Sequence, residues 1–244
     1  MKKTFIFGLM AAALGFTACS SEDDAVLTEN TQKGMVLNAT VAQPSDTRAT
    51  IDVTNASGWQ FHFTDNDNIS VTNSEVTSGT YYTFTKNGTT FASTNSIPTG
   101  SAADWYAYYP STTINLLNQD GTLESAASLY ALAGKTATAT TGADGLNIAM
   151  NPQVAIIKIN NPDGIPCSLL AFNPSNYKNV PELTANGEGY TVNYSSSAYD
   201  NDSKLISAKS GDPLYVVVPA GVELVFNIDE LGGGANRTKA LVAG

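Results

Sequence analysis

The feature that most constrains this chain is a dense series of short runs in which apolar and polar residues alternate. Each run is closed by Gly, Asn, Asp or Pro. Met35 to Ala42 (MVLNATVA) and Ala49 to Val53 alternate, and Trp59 to Phe63 (WQFHF) puts Trp59, Phe61 and Phe63 on one face. A period of two is the mark of a strand with one face buried, whereas a helix would repeat every 3.6 residues. Further runs of this kind follow: NISVTN, YYTFTKNGTTFAS, DWYAYYP, LNIAM, VAIIKIN, CSLLAF, YTVNY, LYVVVPAG and VELVFNI. Asn87-Gly88, inside the run Tyr81 to Ser93, predicts a two-residue hairpin turn with both residues at positive φ. The one stretch with a helical reading is Glu124 to Gly134, with Gly134 as its stop.

Many short strands between turn clusters predict an all-β chain built of sandwiches. At 244 residues there is room for two domains with real cores. Asn160-Asn161-Pro162-Asp163-Gly164 packs several turn formers together and is the expected internal boundary. One β-sandwich is expected over residues 34–160 and a second over 161–244. The second is short of strands for a complete sandwich, and NRTKALVAG starts like one more strand before Gly244. An incomplete sheet offers unpaired N–H and C=O groups that another chain can pair with by strand addition.

The residues that carry chemistry are sparse. Charged residues make up 14% of the chain and the net charge is −10, with no basic face for nucleic acid. The one histidine, His62, lies between Phe61 and Phe63, and alternation predicts it exposed on the opposite strand face. A Ser-His-Asp arrangement has no further base to draw on. A zinc site lacks ligands, and LGGGAN has no following Lys to make a phosphate loop. Asp65, Asn66, Asp67 and Asn68, and again Asp200, Asn201 and Asp202, offer oxygens to a hard cation. Both stretches lack the glycine and distal Glu of a calcium loop, and they read as turns. Trp105, Tyr106, Tyr108 and Tyr109 read as core, because Trp105 and Tyr108 point to opposite faces. No cofactor, metal or catalytic residue is expected.

The N-terminus is a leader. Met1-Lys2-Lys3 is a positive start, Thr4 to Gly15 an apolar run too short to span a membrane, and small residues close it. Phe16-Thr17-Ala18-Cys19 resembles a bacterial lipoprotein box, with Phe where Leu is commonest. The resemblance implies a signal peptide over residues 1–18, cleavage before Cys19 and acylation of the Cys19 thiol. Cys167 then has no disulfide partner and reads as a small buried hydrophobe. Residues 19–33 read as a polar tether. Ser20-Ser21-Glu22-Asp23-Asp24 resembles an acidic tag for export to the outer face of the outer membrane, and reads equally as solvated linker.

Leader, tether, TRATID, GWQFHFTDNDNISVTN, DWYAYYPS and MNPQVAIIKINN, in that order, resemble the fimbrillin-like lipoproteins of the Bacteroides and Porphyromonas group, subunits of type V pili. The resemblance covers roughly residues 1 to 230. It implies two tandem β-sandwich domains of transthyretin-like, Greek-key type, and a non-catalytic subunit of a surface fimbria contributing to adhesion. It also implies lipoprotein export machinery and outer-membrane attachment through the lipid. Finally, it implies an Arg-specific, trypsin-like protease and other fimbrial subunits joined by donor-strand exchange. The protease's arginine falls on Arg48, the only one before Arg237, with Ala49 after the cut. Cleavage there removes Cys19 to Arg48, including the strand Met35 to Ala42; the bland reading of Arg48 is a surface residue in a loop. The alternative function is a surface lipoprotein that binds glycans without polymerising, and a glycoside hydrolase stands third.

Overall fold

The alternating runs become strands because each has one face to bury. A computed structural model of the protein describes residues 31–33, 35–41, 51–52, 60–74, 79–93, 95–98, 104–136, 145–161, 163–173, 175, 178–179, 182–194, 204–230 and 237–242. The strands are β1 (Thr31–Lys33), β2 (Val36–Val41), β3 (Ile51–Asp52), β4 (Gln60–Phe61), β5 (Asn68–Asn73), β6 (Tyr82–Asn87) and β7 (Thr90–Ser93). Then come β8 (Ser96–Pro98), β9 (Trp105–Tyr109), β10 (Thr113–Asn115), β11 (Leu132–Thr136), β12 (Leu146–Pro152), β13 (Val154–Ile159) and β14 (Cys167–Asn173). The last are β15 (Lys178–Asn179), β16 (Glu182–Asn186), β17 (Gly189–Asn193), β18 (Ile206–Lys209), β19 (Leu214–Pro219), β20 (Glu223–Glu230) and β21 (Arg237–Val242). The fold is all-β, with one short helix among the described residues, α1 (Leu123–Ser128).

Seven strands close into a barrel in the order β11-β12-β2-β7-β6-β5-β9, with β9 pairing back to β11. Its interior holds Leu37, Ile69, Phe84, Phe91, Trp105, Ile148 and Met150, all buried. Where sandwich packing was expected, this first core is thus wrapped by a closed sheet, which leaves no edge while every stave is in place. A second buried cluster gathers Ile114, Leu116, Leu169, Leu183, Ile206, Val216 to Val218, Leu224 and Phe226. It lies among the β10-β16-β17 sheet, the β13-β19 pair and the sheet around β14 and β20. Tyr130 and Ile156 pack against both clusters.

The two clusters do not part at residue 160. Ile114, Leu116, Ala126 and Ala131 already belong to the second, β11 and β12 return to the first, and β13 belongs to the second again, so the chain passes between them more than once, the last time at Gln153. Pro152 and Gln153 oppose Leu132 and Ala131 on one flank, and Val154 begins the pairing with β19.

Three local expectations need correction. The helix ends at Ser128, and Gly134 lies mid-strand in β11, not at a helix stop. Only glycine fits there, because a Cβ would collide with the Ala149 carbonyl oxygen of β12. In the β6–β7 hairpin Asn87 pairs with Thr90, so the two turn residues are Gly88 and Thr89. Gly88 has φ +63° and Asn87 is not at positive φ, so glycine alone supplies the left-handed residue. Finally, His62 is buried, because β4 stops at Phe61 and the alternation does not reach the histidine.

Candidate functional site

Strand β2 is the one barrel stave drawn from the segment between Cys19 and Arg48. Cys19, Arg48 and Ala49 themselves lie outside the described residues. On one flank β2 runs parallel to β12, from Leu37 opposite Leu146 to Val41 opposite Met150. On the other it runs antiparallel to β7, with Val36 opposite Ala92 and Leu37 opposite Phe91. The Ser93 N–H also donates to the Met35 carbonyl at 3.1 Å. The pairing with β12 is the only parallel one among the described barrel strands.

The seat of β2 is keyed on both faces. Met35 and Leu37 are buried in the barrel, with Ala39 and Val41 packed partly against the same core. On the outer face the Asn38 side-chain amide donates to the Asn147 side-chain oxygen at 3.0 Å, locking the parallel register. A slip of one residue would turn Leu37 outward and Asn38 into the core. Gly145, just before β12, has φ +63° and lies against Val36, where a Cβ would collide with the Val36 carbonyl oxygen. Its absent side chain lets β2 enter close beside the start of β12.

The other residues singled out from the sequence are brought together as structural supports. The Asp67 carboxylate accepts from the Thr64 N–H at 2.6 Å and the Thr64 hydroxyl at 3.2 Å, and its second oxygen accepts from the Tyr109 hydroxyl at 3.3 Å. Asp65 accepts from the Gly88 N–H at 2.9 Å, tying two turns together. The Thr64 contacts are the local bonds of a turn, as the sequence suggested, and the other two tie that turn to β9 and to the β6–β7 hairpin. Asp200, Asn201 and Asp202 and the glycines of LGGGAN fall outside the described residues. Trp105, Tyr108 and Tyr109 are buried and Tyr106 half-buried, in keeping with a core role.

Tyr108 faces away from the barrel interior yet is buried, because the β16–β17 hairpin covers it. Its hydroxyl donates to the Gly187 carbonyl at 2.6 Å, and the Tyr190 hydroxyl donates to the Ser111 carbonyl at 2.5 Å. Their rings meet edge to face, and exposed Tyr81 also meets the Tyr108 ring edge to face. Burial, with Tyr81 and Tyr106 adding to it, pushes the Tyr108 phenol up to about 12. Burial also raises Tyr190 and Tyr109, the latter helped by the Asp67 charge. Lys135 bridges to Glu188 at 3.0 Å and Asp104 at 3.5 Å beside this seam, and the bond to Glu188 raises its pKa.

One residue that sequence reasoning did not find is Gln119. Its side chain is buried and behaves like a strand of one residue against β19. The amide nitrogen donates to the Val217 carbonyl at 2.9 Å, and its oxygen accepts from the Val217 N–H at 2.7 Å. The same nitrogen donates to the Leu116 carbonyl at 2.9 Å. The Tyr215 N–H donates to the Gly121 carbonyl at 2.8 Å. The segment 119–121 therefore covers the outer edge of β19.

No protein-family model matches the chain, and no curated protein does. Among solved structures it is similar to fimbrial and candidate cell-adhesion proteins of Bacteroides. One is a fimbrial protein from Bacteroides ovatus, at 15% identity and a TM-score of 0.40 over 87% of this chain and 46% of that one. The chain thus spans about half the length of that protein. Another is a candidate cell adhesion protein from Bacteroides thetaiotaomicron, at 16% identity and a TM-score of 0.40, covering 86% of this chain and 84% of that one. A third, from Bacteroides eggerthii, has 10% identity and a TM-score of 0.35, covering 87% and 80%. These are distant likenesses, and the functional reading rests on the chain's own residues.

Proposed function

We propose that this chain is a non-catalytic structural subunit of a surface fimbria. In this reading it is exported as a lipoprotein anchored at Cys19, and a protease cut between Arg48 and Ala49 then releases it for assembly. The observation that carries the reading is the placement of β2. The segment a cut at Arg48 would remove contributes one whole stave of a closed barrel. Its loss would expose the facing edges of β12 and β7 and the core side chains that Leu37 covers. A strand from another subunit, pairing parallel to β12 and antiparallel to β7, would restore both the ladder and the apolar contacts. The division into two domains, each with its own buried cluster, belongs to the same reading.

The test is limited trypsin digestion of the full chain, followed by N-terminal sequencing and electrophoresis without boiling. The expected result is a new N-terminus at Ala49 accompanied by a ladder of denaturant-resistant multimers. A cut at Arg48 that leaves a stable monomer would refute assembly by strand exchange.

A further inference from the structure

Strands β12 and β13 are two halves of one extended run, and the flank that β2 occupies continues along the second half with no described residue paired to it. The geometry at Gln153 establishes this. Its N–H donates to the Ala131 carbonyl, just ahead of β11, at 2.9 Å, and its carbonyl accepts from the Ala220 N–H, just after β19, at 3.0 Å. In an extended chain the N–H and C=O of one residue point to the same side, and the next residue's point to the other. So β11 and β19 lie on the same side of the run, one after the other. The β2 side of β12 is therefore the open side of β13.

Parity then assigns each backbone group. Ala155, Ile157 and Ile159 bond toward β19, opposite Val218, Val216 and Leu214. Val154, Ile156 and Lys158 present their N–H and C=O groups to the open side. No described residue pairs with them there. Pro152 fits the same count, since its missing N–H points to the open flank, beyond the last pairing of Met150 with β2. The contrast with β19 is informative. That partner strand has its outer edge closed by Gln119 and Gly121, whereas β13 exposes an edge of Val, Ala and Ile with a single charge, Lys158. Ile156, Ile157 and Ile159 are only half-buried, as the rim of a core awaiting one more strand would be.

We infer that β12 and β13 together form one acceptor rail, residues 146–159, for a single extended segment of a second copy of this chain. The inference rests on the assembly reading above and extends its site into the second cluster. The rail is about 46 Å long at ~3.3 Å per residue, and β2 pairs only with Leu146 to Met150. The link from β2 to β3 is short for covering the rest. Nine residues (42–50) separate β2 from β3, and Ile51 pairs with Phe61, whose ring packs in the barrel against Tyr109. Running out beside Lys158 would consume nearly all nine and leave none for the return. A strand from another molecule has no such tether. In this position it would pair with both clusters and hold them as one body.

The test is amide hydrogen exchange on the full-length chain before and after tryptic assembly, read at Ile156 and Lys158. In the uncut monomer these amides should exchange fast while Ala155 and Ile157 are protected. In multimers their exchange should slow by about a hundredfold or more, while β12, already paired in the uncut chain, stays protected. Lys158→Pro removes one open-side N–H and leaves the β19 ladder intact, so its monomer should unfold at the same midpoint as Lys158→Ala. Its assembly should fall at least about tenfold, whereas Lys158→Ala should assemble normally. Multimers that form with Lys158 unprotected, and equally well from Lys158→Pro, would overturn the rail while leaving strand exchange at β2 standing. Absence of multimers from the cleaved chain would overturn both.

Discussion

Replacing Gln119 by leucine should cost far more than its location in a connecting segment implies. The substitution nearly preserves volume and increases apolarity, so a purely hydrophobic account expects a neutral or stabilising change. The hydrogen bonds decide otherwise. Leucine removes three bonds at 2.7 to 2.9 Å and leaves the Val217 N–H, the Val217 carbonyl and the Leu116 carbonyl without partners. Val217 and Leu116 are fully buried, so water cannot replace the amide. Each stranded group costs about 1–3 kcal/mol. Three of them, offset by the better transfer of a leucine, give a net loss of about 3–5 kcal/mol. At roughly 2–4 °C per kcal/mol for a chain of this size, the melting temperature should fall by about 6–20 °C. The assay is urea unfolding followed by tryptophan fluorescence and by far-UV circular dichroism. The expected result is a lower midpoint with an unchanged slope. An unfolding free energy within about 0.5 kcal/mol of the parent would show that the β19 edge does not depend on the amide.

Three further outcomes are expected. Gly145→Ala forces a Cβ at φ +63° against the Val36 carbonyl, costing about 1–2 kcal/mol for the backbone alone. The amides of Leu37 and Asn38 should exchange at least about tenfold faster while those of β5 and β9 keep their protection. Asp67→Ala removes three accepted bonds, two of them from Thr64, and should destabilise by about 2–3 kcal/mol in chemical unfolding; Asp67→Asn should recover part of the loss. In alkali, the folded chain holds the Tyr108 proton more tightly than the unfolded chain, with a pKa raised from 10.0 to about 12. Stability from this group is therefore complete below pH 10 and declines as the pH rises from 10 through 12. Tyr108→Phe should flatten that part of the pH–stability curve.

The elements legible in the sequence are those with one face on a core. β2, β9 and β12 follow from alternation alone, because Leu37, Trp105 and Ile148 must point one way and Asn38, Tyr106 and Asn147 the other. What stayed hidden depends on neighbours remote in the chain. Gln119 reads as an ordinary loop amide until Val217, 98 positions on, is placed beside it. Asn151-Pro152 reads as a break between two strands. It instead lies within one extended run, at a point where no described residue pairs on the flank that the proline's missing N–H would face. Gly134 resembles a helix stop because nothing local announces the Ala149 carbonyl that fills its side-chain space. The burial of His62 likewise depends on β4 ending two residues earlier than the alternation to Phe63 suggests. Of the candidate site, the strand was legible but its parallel seat was not, since β12 is more than a hundred residues away.

The uninterrupted run through Gln153 also has a mechanical meaning. Tension applied across the two clusters passes along a covalent backbone from Leu146 to Ile159, with no loop between to stretch first. A partner strand lying parallel to that backbone and pulled lengthwise would be loaded in shear, so that its hydrogen bonds resist together instead of yielding one after another. The lifetime of such a joint is set by its unfolding barrier. A filament built on it would stretch little before it failed.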